Sequence, residues 1–266
     1  MPLAVCATPI GNLEDVTLRV LRELAEADVV LCEDTRHTRK LLERHGVRAR
    51  LLSYHQHNEA QRTAALLPRL EAGERLALVS DSGLPAISDP GARLVRAALE
   101  AGVPVTVLPG PSAVETALVA SGLVSERYQF LGYLPRGEKA LLSVAEELAA
   151  WPYAAVAFES PQRLQASLHV LARVIPDRDA AVCRELTKRF EEVAGGTVAE
   201  LAQRTGEVKG EITLVVGGGE TPPADAGAAA AAVAELAAAG LSRRQAADVV
   251  ARLTGVGRNQ LYRTSL

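Results

Sequence analysis

Cysteine is scarce in this chain: Cys6, Cys32 and Cys183 lie far apart in 266 residues, each in an apolar, strand-like setting. A free thiol in such a setting behaves as a small buried hydrophobe, so the spacing argues against both a disulfide framework and a zinc cluster. Long hydrophobic runs are missing too, since no apolar stretch approaches the roughly 20 residues that span a bilayer. The segment Met1 to Cys6 runs straight into a strand without the basic n-region of a signal peptide, and a cytoplasmic protein is expected. Neither sign of charge dominates: 29 Lys and Arg face 32 Asp and Glu, and the net −3 taken by itself argues against a nucleic-acid partner, although this average hides an asymmetry. No G-x-G-x-x-G, no P-loop lysine motif and no G-x-S-x-G elbow occurs, which removes the usual signs of a dinucleotide site, a nucleotide triphosphate site and a serine hydrolase. No internal repeat is visible.

What is present is a 48% hydrophobic chain, ample for a sizeable core, whose first half alternates strand and helix patterns as parallel βαβ units do. Strands are expected at Leu3 to Ala7, Val29 to Cys32, Arg50 to Ser53, Leu76 to Ser80 and Val105 to Leu108. Asn58 with Gln61 and Ser112 with Glu115 resemble capping boxes, Asp89-Pro90 places proline at a first helical position, and Gly102 and Gly122 supply stops. Tyr128 to Glu138 breaks the alternation. A second unit then reads as strand Ala154 to Phe158, helix Pro161 to Val174 capped by Ser160, strand Ala180 to Arg184, a hairpin-like Phe190 to Gly196, helix Thr197 to Arg204 and strand Glu211 to Val216, a mixture that implies a mixed sheet. The expected organisation is two α/β domains, 1–122 and 123–218, a Gly/Ala/Pro-rich linker at 219–230 containing Pro222 and Pro223, and a small helical appendage at 231–266.

The loops carry the chemistry. Val79 to Gly91 (VSDSGLPAISDPG) and Leu108 to Ala113 (LPGPSA) each leave a strand and enter a helix, so both belong at the carboxyl edge of a parallel sheet, where open α/β proteins bind ligands. Thr8 to Asp15 follows the first strand to the same edge. Backbone N–H groups at such helix starts suit a carboxylate, phosphate or ribose hydroxyl, and Asp81 adds a carboxylate for a ribose or a cation. The bland alternative is a set of ordinary tight connections. Glu33 to Lys40 ends the second strand with both signs of charge, either a base with phosphate ligands or a helix cap with solvated neighbours. Glu159 to Arg163 and Arg184 to Lys188 sit at the matching ends of second-unit strands. His55 and His57 form an H-x-H pair without a third ligand nearby, and no metal is expected.

Taken together these loops resemble the tetrapyrrole methylase superfamily, and within it the branch that methylates the ribose 2′-hydroxyl of a cytidine in ribosomal small-subunit RNA. The likeness is carried by Thr8 to Leu13, Glu33 to Arg36, Ser53 to His55 with Asn58-Glu59, Val79 to Gly91 and Pro109 to Ala113 in the first half. In the second it is carried by Gly132 to Pro135, Phe158 to Pro161, Cys183 to Lys188 and Gly210 to Val216. Tetrapyrrole-modifying members carry a glycine-rich first loop and a Gly-Asp-Pro motif where this chain has Pro9-Ile10-Gly11-Asn12 and Ser80-Asp81-Ser82, as the RNA-modifying branch does. The resemblance implies S-adenosylmethionine bound between the two α/β halves, a homodimer, and a substrate that is the small ribosomal subunit or its 16S rRNA. It implies cofactor contacts at Ile10, Asp81, Leu84, Ser112, Ala113, Phe158, Glu185 and Thr213.

For the reaction, Glu33, Asp34 or Glu185 is the expected base, with Arg36, Arg163 or Lys188 on adjacent phosphates. From Leu241 to Leu266 five arginines meet one acid, a local excess of four positive charges that leaves the rest of the chain at −7. Arg243, Arg244 and Arg258 in this tail are candidate phosphate contacts, or else a solvated helical face. The competing functions are a methylase of the same fold acting on a tetrapyrrole or a protein side chain, and a non-catalytic RNA-binding module.

Overall fold

The computed structural model of the chain describes residues 2–219 and 226–264. Two compact units emerge, the first made of Met1–Ala149 with Tyr153–Gly218, the second of Ala150–Pro152 with Gly219–Leu266.

In the first half of the larger unit, β1 (Leu3–Cys6), α1 (Leu18–Glu26), β2 (Val29–Cys32), α2 (Thr35–Arg44), β3 (Leu51–Ser53), α3 (Glu59–Glu71), β4 (Leu76–Val79), α4 (Ala92–Glu100) and β5 (Val105–Leu108) alternate without exception, and α5 (Ala113–Ser121) follows. The strands form one parallel sheet ordered β3-β2-β4-β1-β5. Strands such as LAVC and VVLC are apolar at every position because helices cover both faces. Leu3 and Val5 pack with Leu66, Leu70 and Leu94 on one face, while Ala4 and Cys6 pack with Val20, Leu24 and Leu41 on the other. The chain steps outward from β1 to β3 and returns through β4 to β5, so the loops after β1, β4 and β5 emerge side by side at the switch point of the sheet.

The second half runs β6 (Tyr128–Tyr133), α6 (Glu138–Ala150), β7 (Ala154–Glu159), α7 (Leu164–Ala172), β8 (Asp179–Arg184), β9 (Glu192–Thr197), α8 (Val198–Arg204) and β10 (Ile212–Val216). Its sheet, β6-β7-β10-β8-β9, is mixed: β6 and β7 are parallel and the other pairs antiparallel. Helix α5 belongs to the first half in sequence, yet its Val114, Ala117 and Leu118 pack against Val156, Ala181, Cys183 and Val215 of the second sheet. This shared apolar layer is why both sheets fall into one compact unit.

Several local expectations fail for identifiable reasons. Pro90 is not a first helical residue, because Gly91 at φ +138° turns the chain once more and α4 starts at Ala92. Asn58 is itself in the right-handed helical region, and its side chain accepts from His55 N (2.9 Å) instead of capping α3. The Ser112 hydroxyl donates to the Glu115 carboxylate and caps no backbone N–H of α5. Ser160 donates to Gln162, and α7 begins later, at Leu164. Reciprocal capping boxes form instead at Thr197 with Glu200 and, in the smaller unit, at Ser242 with Gln245.

The smaller unit holds α9 (Ala226–Ala238), α10 (Arg243–Thr254) and α11 (Arg258–Thr264), closed around Val233, Ala246, Val250 and Leu261. Helix α9 starts at Ala226, inside the stretch read as a linker, because an unbroken alanine run favours helix. Pro222 and Pro223 lie outside the described residues. Among the described residues no helix is long and apolar enough to cross a membrane.

Candidate active site

The loops after β1 and β4 are stitched together. Thr8 N donates to Gly83 O (2.8 Å), Gly83 N returns a bond to Thr8 O (3.1 Å), and the Thr8 hydroxyl donates to Ser80 O (3.0 Å). Beyond them opens a cleft of about 420 Å³, within the size range of small-molecule sites. Its floor is the carboxyl edge of the first sheet, with Ile10, Asp81, Leu84 and Asp89, together with the start of α5 at Ser112 and Ala113. Its far wall comes from the second sheet, with Tyr133, Phe158, Glu211 and Thr213. Phe158 is held edge-on between Phe130 and Tyr133, with ring centroids 5.0 and 5.6 Å away. Seven of the eight residues expected to contact the cofactor therefore line one cavity: Ile10, Asp81, Leu84, Ser112, Ala113, Phe158 and Thr213.

Glu185, the eighth, stands behind the wall. Its carboxylate accepts from Glu211 N (2.9 Å) and from Lys188 Nζ (2.9 Å), and Lys188 also pairs with Glu211 (3.0 Å). The Lys188 hydrogen bond, then the backbone N–H, hold the Glu185 carboxyl below the usual range. Burial pulls the Lys188 ammonium down, but its two carboxylate partners more than offset this and raise it. The loop is conformationally costly: Glu185 and Thr187 adopt φ +52° and +66°. Ala86 (+72°) and Ser88 (+62°) do the same in the opposing loop. Non-glycine residues in the left-handed region cost about 1–3 kcal/mol each, and these four fall in one loop that borders the cleft and one that stands behind its far wall.

Asp34 and Arg36 form an exposed pair. Asp34 caps α2 through Arg36 N (2.8 Å) and accepts from the Arg36 guanidinium, which holds its carboxyl far below the ordinary range. Its own backbone N donates to Asp81 Oδ1 (3.2 Å), so Asp34 orients Asp81 through the main chain. Glu33 is half-buried, and burial followed by the charge of Asp81 pushes its carboxyl up against the opposing influence of His55. Arg163 is tethered: it donates to buried Glu159 (Nε, 2.8 Å) and to Leu134 O (2.8 Å), while Ser160 N and Ser167 Oγ complete the shell of Glu159. In the smaller unit Arg243 and Arg244 are exposed in the first turn of α10, and Arg258 Nε pairs with Asp248 (2.7 Å).

Two features escaped sequence reasoning. Asp89, part of the loop expected at the ligand edge but given no role of its own beyond a helix start, lines the cleft, and burial, then the facing charges of Glu33 and Asp81, push its carboxyl up to about 6 against the Ser80 hydroxyl. Beside the Lys188 loop lies a second, open depression lined by Asn12, Glu14, Arg44, Lys188 and Arg189, in which Arg44 pairs with Glu14, and the Arg189 guanidinium sits 5.6 Å over the exposed ring of Phe190. The run Lys188-Arg189-Phe190, two basic residues followed by an aromatic, was the available signal. The three cysteines are buried, and burial drives Cys6 to about 12 and Cys183 to about 11, so these thiols are inert.

The chemistry of the main cleft follows from its lining. Carboxylates of Asp81, Asp89 and Glu211 border it, and among the described residues no Lys, Arg or His does. Such a site repels phosphate and welcomes a cation, while Ile10, Leu84, Val114 and Phe158 offer apolar area to a flat ring. The uncapped first turn of α5 leaves backbone N–H groups for a small carboxylate. A sulfonium, an adenine ring and an amino-acid carboxylate match these three surfaces, so the residues present fit S-adenosylmethionine.

The family model described as Tetrapyrrole (Corrin/Porphyrin) Methylases matches residues 2–202, and one described as the RsmI C-terminal HTH domain matches residues 224–266. The protein named ribosomal RNA small subunit methyltransferase I in Mesorhizobium japonicum is 44% identical over 99% of this chain and 91% of its own length. Its namesake in Mycobacterium tuberculosis H37Rv is 46% identical over 98% of this chain and 93% of its own. Among solved structures, the uroporphyrin-III C-methyltransferase of Thermus thermophilus complexed with S-adenosylhomocysteine superposes with a TM-score of 0.58 at 21% identity, covering 81% of this chain and 96% of that one.

Proposed function

This chain belongs to the tetrapyrrole methylase family, and from that premise we propose that it methylates the ribose 2′-hydroxyl of a cytidine in 16S ribosomal RNA, using S-adenosylmethionine. The observation that carries this reading is the cleft itself, bordered by three carboxylates and, among the described residues, by no basic side chain. A tetrapyrrole with its rim of carboxylates would meet like charge there, whereas a ribose enters with its phosphates outside. Arg189, at the rim of the second depression and beside the exposed ring of Phe190, supports an RNA acceptor. So do the names of relatives that match along almost the whole chain.

S-adenosylmethionine, when bound, supplies a methyl group already activated on a positively charged sulfur. The residues of the chain then have three tasks. Asp81, fixed by the N–H of Asp34, and the aromatic wall at Phe158 hold the cofactor in one orientation. Glu185 and Lys188 brace the Gly210-Glu211 wall from behind, a positioning role. The strained loops at 86–88 and 185–187 keep both walls at a fixed spacing, on which in-line transfer depends. The reading places the enzyme in the cytoplasm with the small subunit, as a homodimer.

The test is transfer of labelled methyl from S-adenosylmethionine to small subunits from cells lacking this protein, followed by nuclease mapping. One labelled cytidine whose 3′ linkage resists alkali is the expected outcome. Cofactor binding without any label in RNA would overturn the RNA assignment and turn attention to protein and tetrapyrrole acceptors. Sedimentation of the same preparation reads the homodimer.

A further inference from the structure

The geometry points to Asp89 as the catalytic base of this cleft, in place of Glu33, Asp34 or Glu185, an inference that rests on the methyl-transfer reading above. Each other carboxylate near the reaction space is already committed. Asp34 is tied to Arg36, Glu185 and Glu211 to Lys188, and Glu159 to Arg163, while Asp81 accepts the Asp34 N–H. A carboxylate held by a cation is a weak proton acceptor. Asp89 lines the cleft, and the groups that face it are Glu33 from the end of β2, Ser80 and Asp81 from the end of β4, and Tyr133 from β6 across the cavity. Glu59 bonds the N–H of Gly91 (3.0 Å) two residues on. None of these is a cation. The loop that carries Asp89 is fixed on both sides, by Ser88 at φ +62° and by Gly91 at φ +138°, where an added Cβ would lie 2.7 Å from Leu78.

Asp89 accepts the proton of the ribose 2′-hydroxyl while that oxygen forms its bond to the methyl carbon. The carbon–sulfur bond breaks with its electron pair remaining on sulfur, so a cationic sulfonium becomes a neutral thioether and the proton rests on Asp89. Glu33 does not border the cleft and acts through Asp89: its negative charge makes the Asp89 carboxylate more basic.

The test measures kcat at saturating cofactor and subunit from pH 5 to 9, together with cofactor affinity by calorimetry and melting temperature. Wild type should lose activity below about pH 6. Asp89→Asn should lower kcat about 10²- to 10⁴-fold with cofactor affinity within a few-fold of wild type. Glu33→Gln should lower the plateau rate a few-fold and move the acid limb to lower pH, a shift that a purely structural role would not produce. The melting temperatures carry a second readout. A carboxyl raised in the fold costs stability as pH climbs above its unfolded value, so Asp89→Asn should melt higher than wild type at pH 8 and equally near pH 4. Wild-type kcat with an unchanged acid limb in Asp89→Asn overturns the inference alone. Absence of RNA labelling by wild type overturns it together with the functional reading.

Discussion

Arg163 and Glu159 illustrate how a side chain that looks available in a sequence can be consumed by the fold. The Glu159 side chain has no exposed surface, and Arg163, Ser160 N and Ser167 Oγ all donate to it. Removing the guanidinium would strand a buried carboxylate, a defect that costs a few kcal/mol, whereas a phosphate ligand could be removed without loss of stability. Arg163→Ala should therefore lower the unfolding free energy by about 2–4 kcal/mol in urea titration. An unchanged midpoint with weakened RNA binding would restore Arg163 to the phosphate-contacting set. Asp34 and Glu185 follow the same logic, since the neighbours that looked like a charged cluster in the sequence are the cations that neutralise them.

Among elements, the Glu185–Lys188 loop is the one most tightly constrained by its surroundings. A Cβ on Gly11 would sit 2.5 Å from Lys188 Cγ and 3.0 Å from Leu186 O, and one on Gly210 would sit 2.5 Å from the Glu185 carboxyl carbon. Gly11→Ala should displace the loop and weaken S-adenosylmethionine binding at least tenfold by calorimetry, while Gly137→Ala, with nothing within 4 Å, should leave it unchanged. Equal affinities in the two variants would show that the first loop and the Lys188 loop move independently. The sequence exposed the strands and the cleft loops well, because a fully covered parallel sheet demands short apolar runs and each run ends in a turn-rich loop. It failed where the answer depends on what lies across the cavity. Asp89 and Pro90 carry the local marks of a helix start, and only the added turn at Gly91 sends Asp89 into the cleft beside Glu33. Likewise Asn58 has the local marks of a cap, but the backbone of His55 claims its side chain. The helix at Ala226–Ala238 was obscured by the prolines just before it, which read as one linker together with its alanines.

At the scale of the whole molecule the charge is divided by task. Asp81, Asp89 and Glu211 border the cleft where a cationic cofactor fits, and the excess of arginine lies in the last 26 residues, within the smaller helical unit. A single surface could not serve both ligands, because each phosphate contact strong enough to hold RNA would repel a sulfonium. Arg243 and Arg244, exposed at the start of α10, stand where a helix N-terminus adds its own positive end, while Arg258 is occupied by Asp248. Replacing Arg243 and Arg244 by alanine should weaken RNA binding and flatten the log–log salt dependence by about two, since each lost phosphate contact removes nearly one released counterion. Adding Arg258→Ala should change that slope little and instead loosen the contact between α10 and α11. Cofactor affinity should stay at the wild-type value in both variants, because the carboxylate-lined cleft belongs to the larger unit. Fluorescence anisotropy of labelled RNA across a salt series reads the first effect and calorimetry the second. An unaltered slope would return these arginines to a solvated helical face and leave Arg189 and Phe190 to carry the RNA.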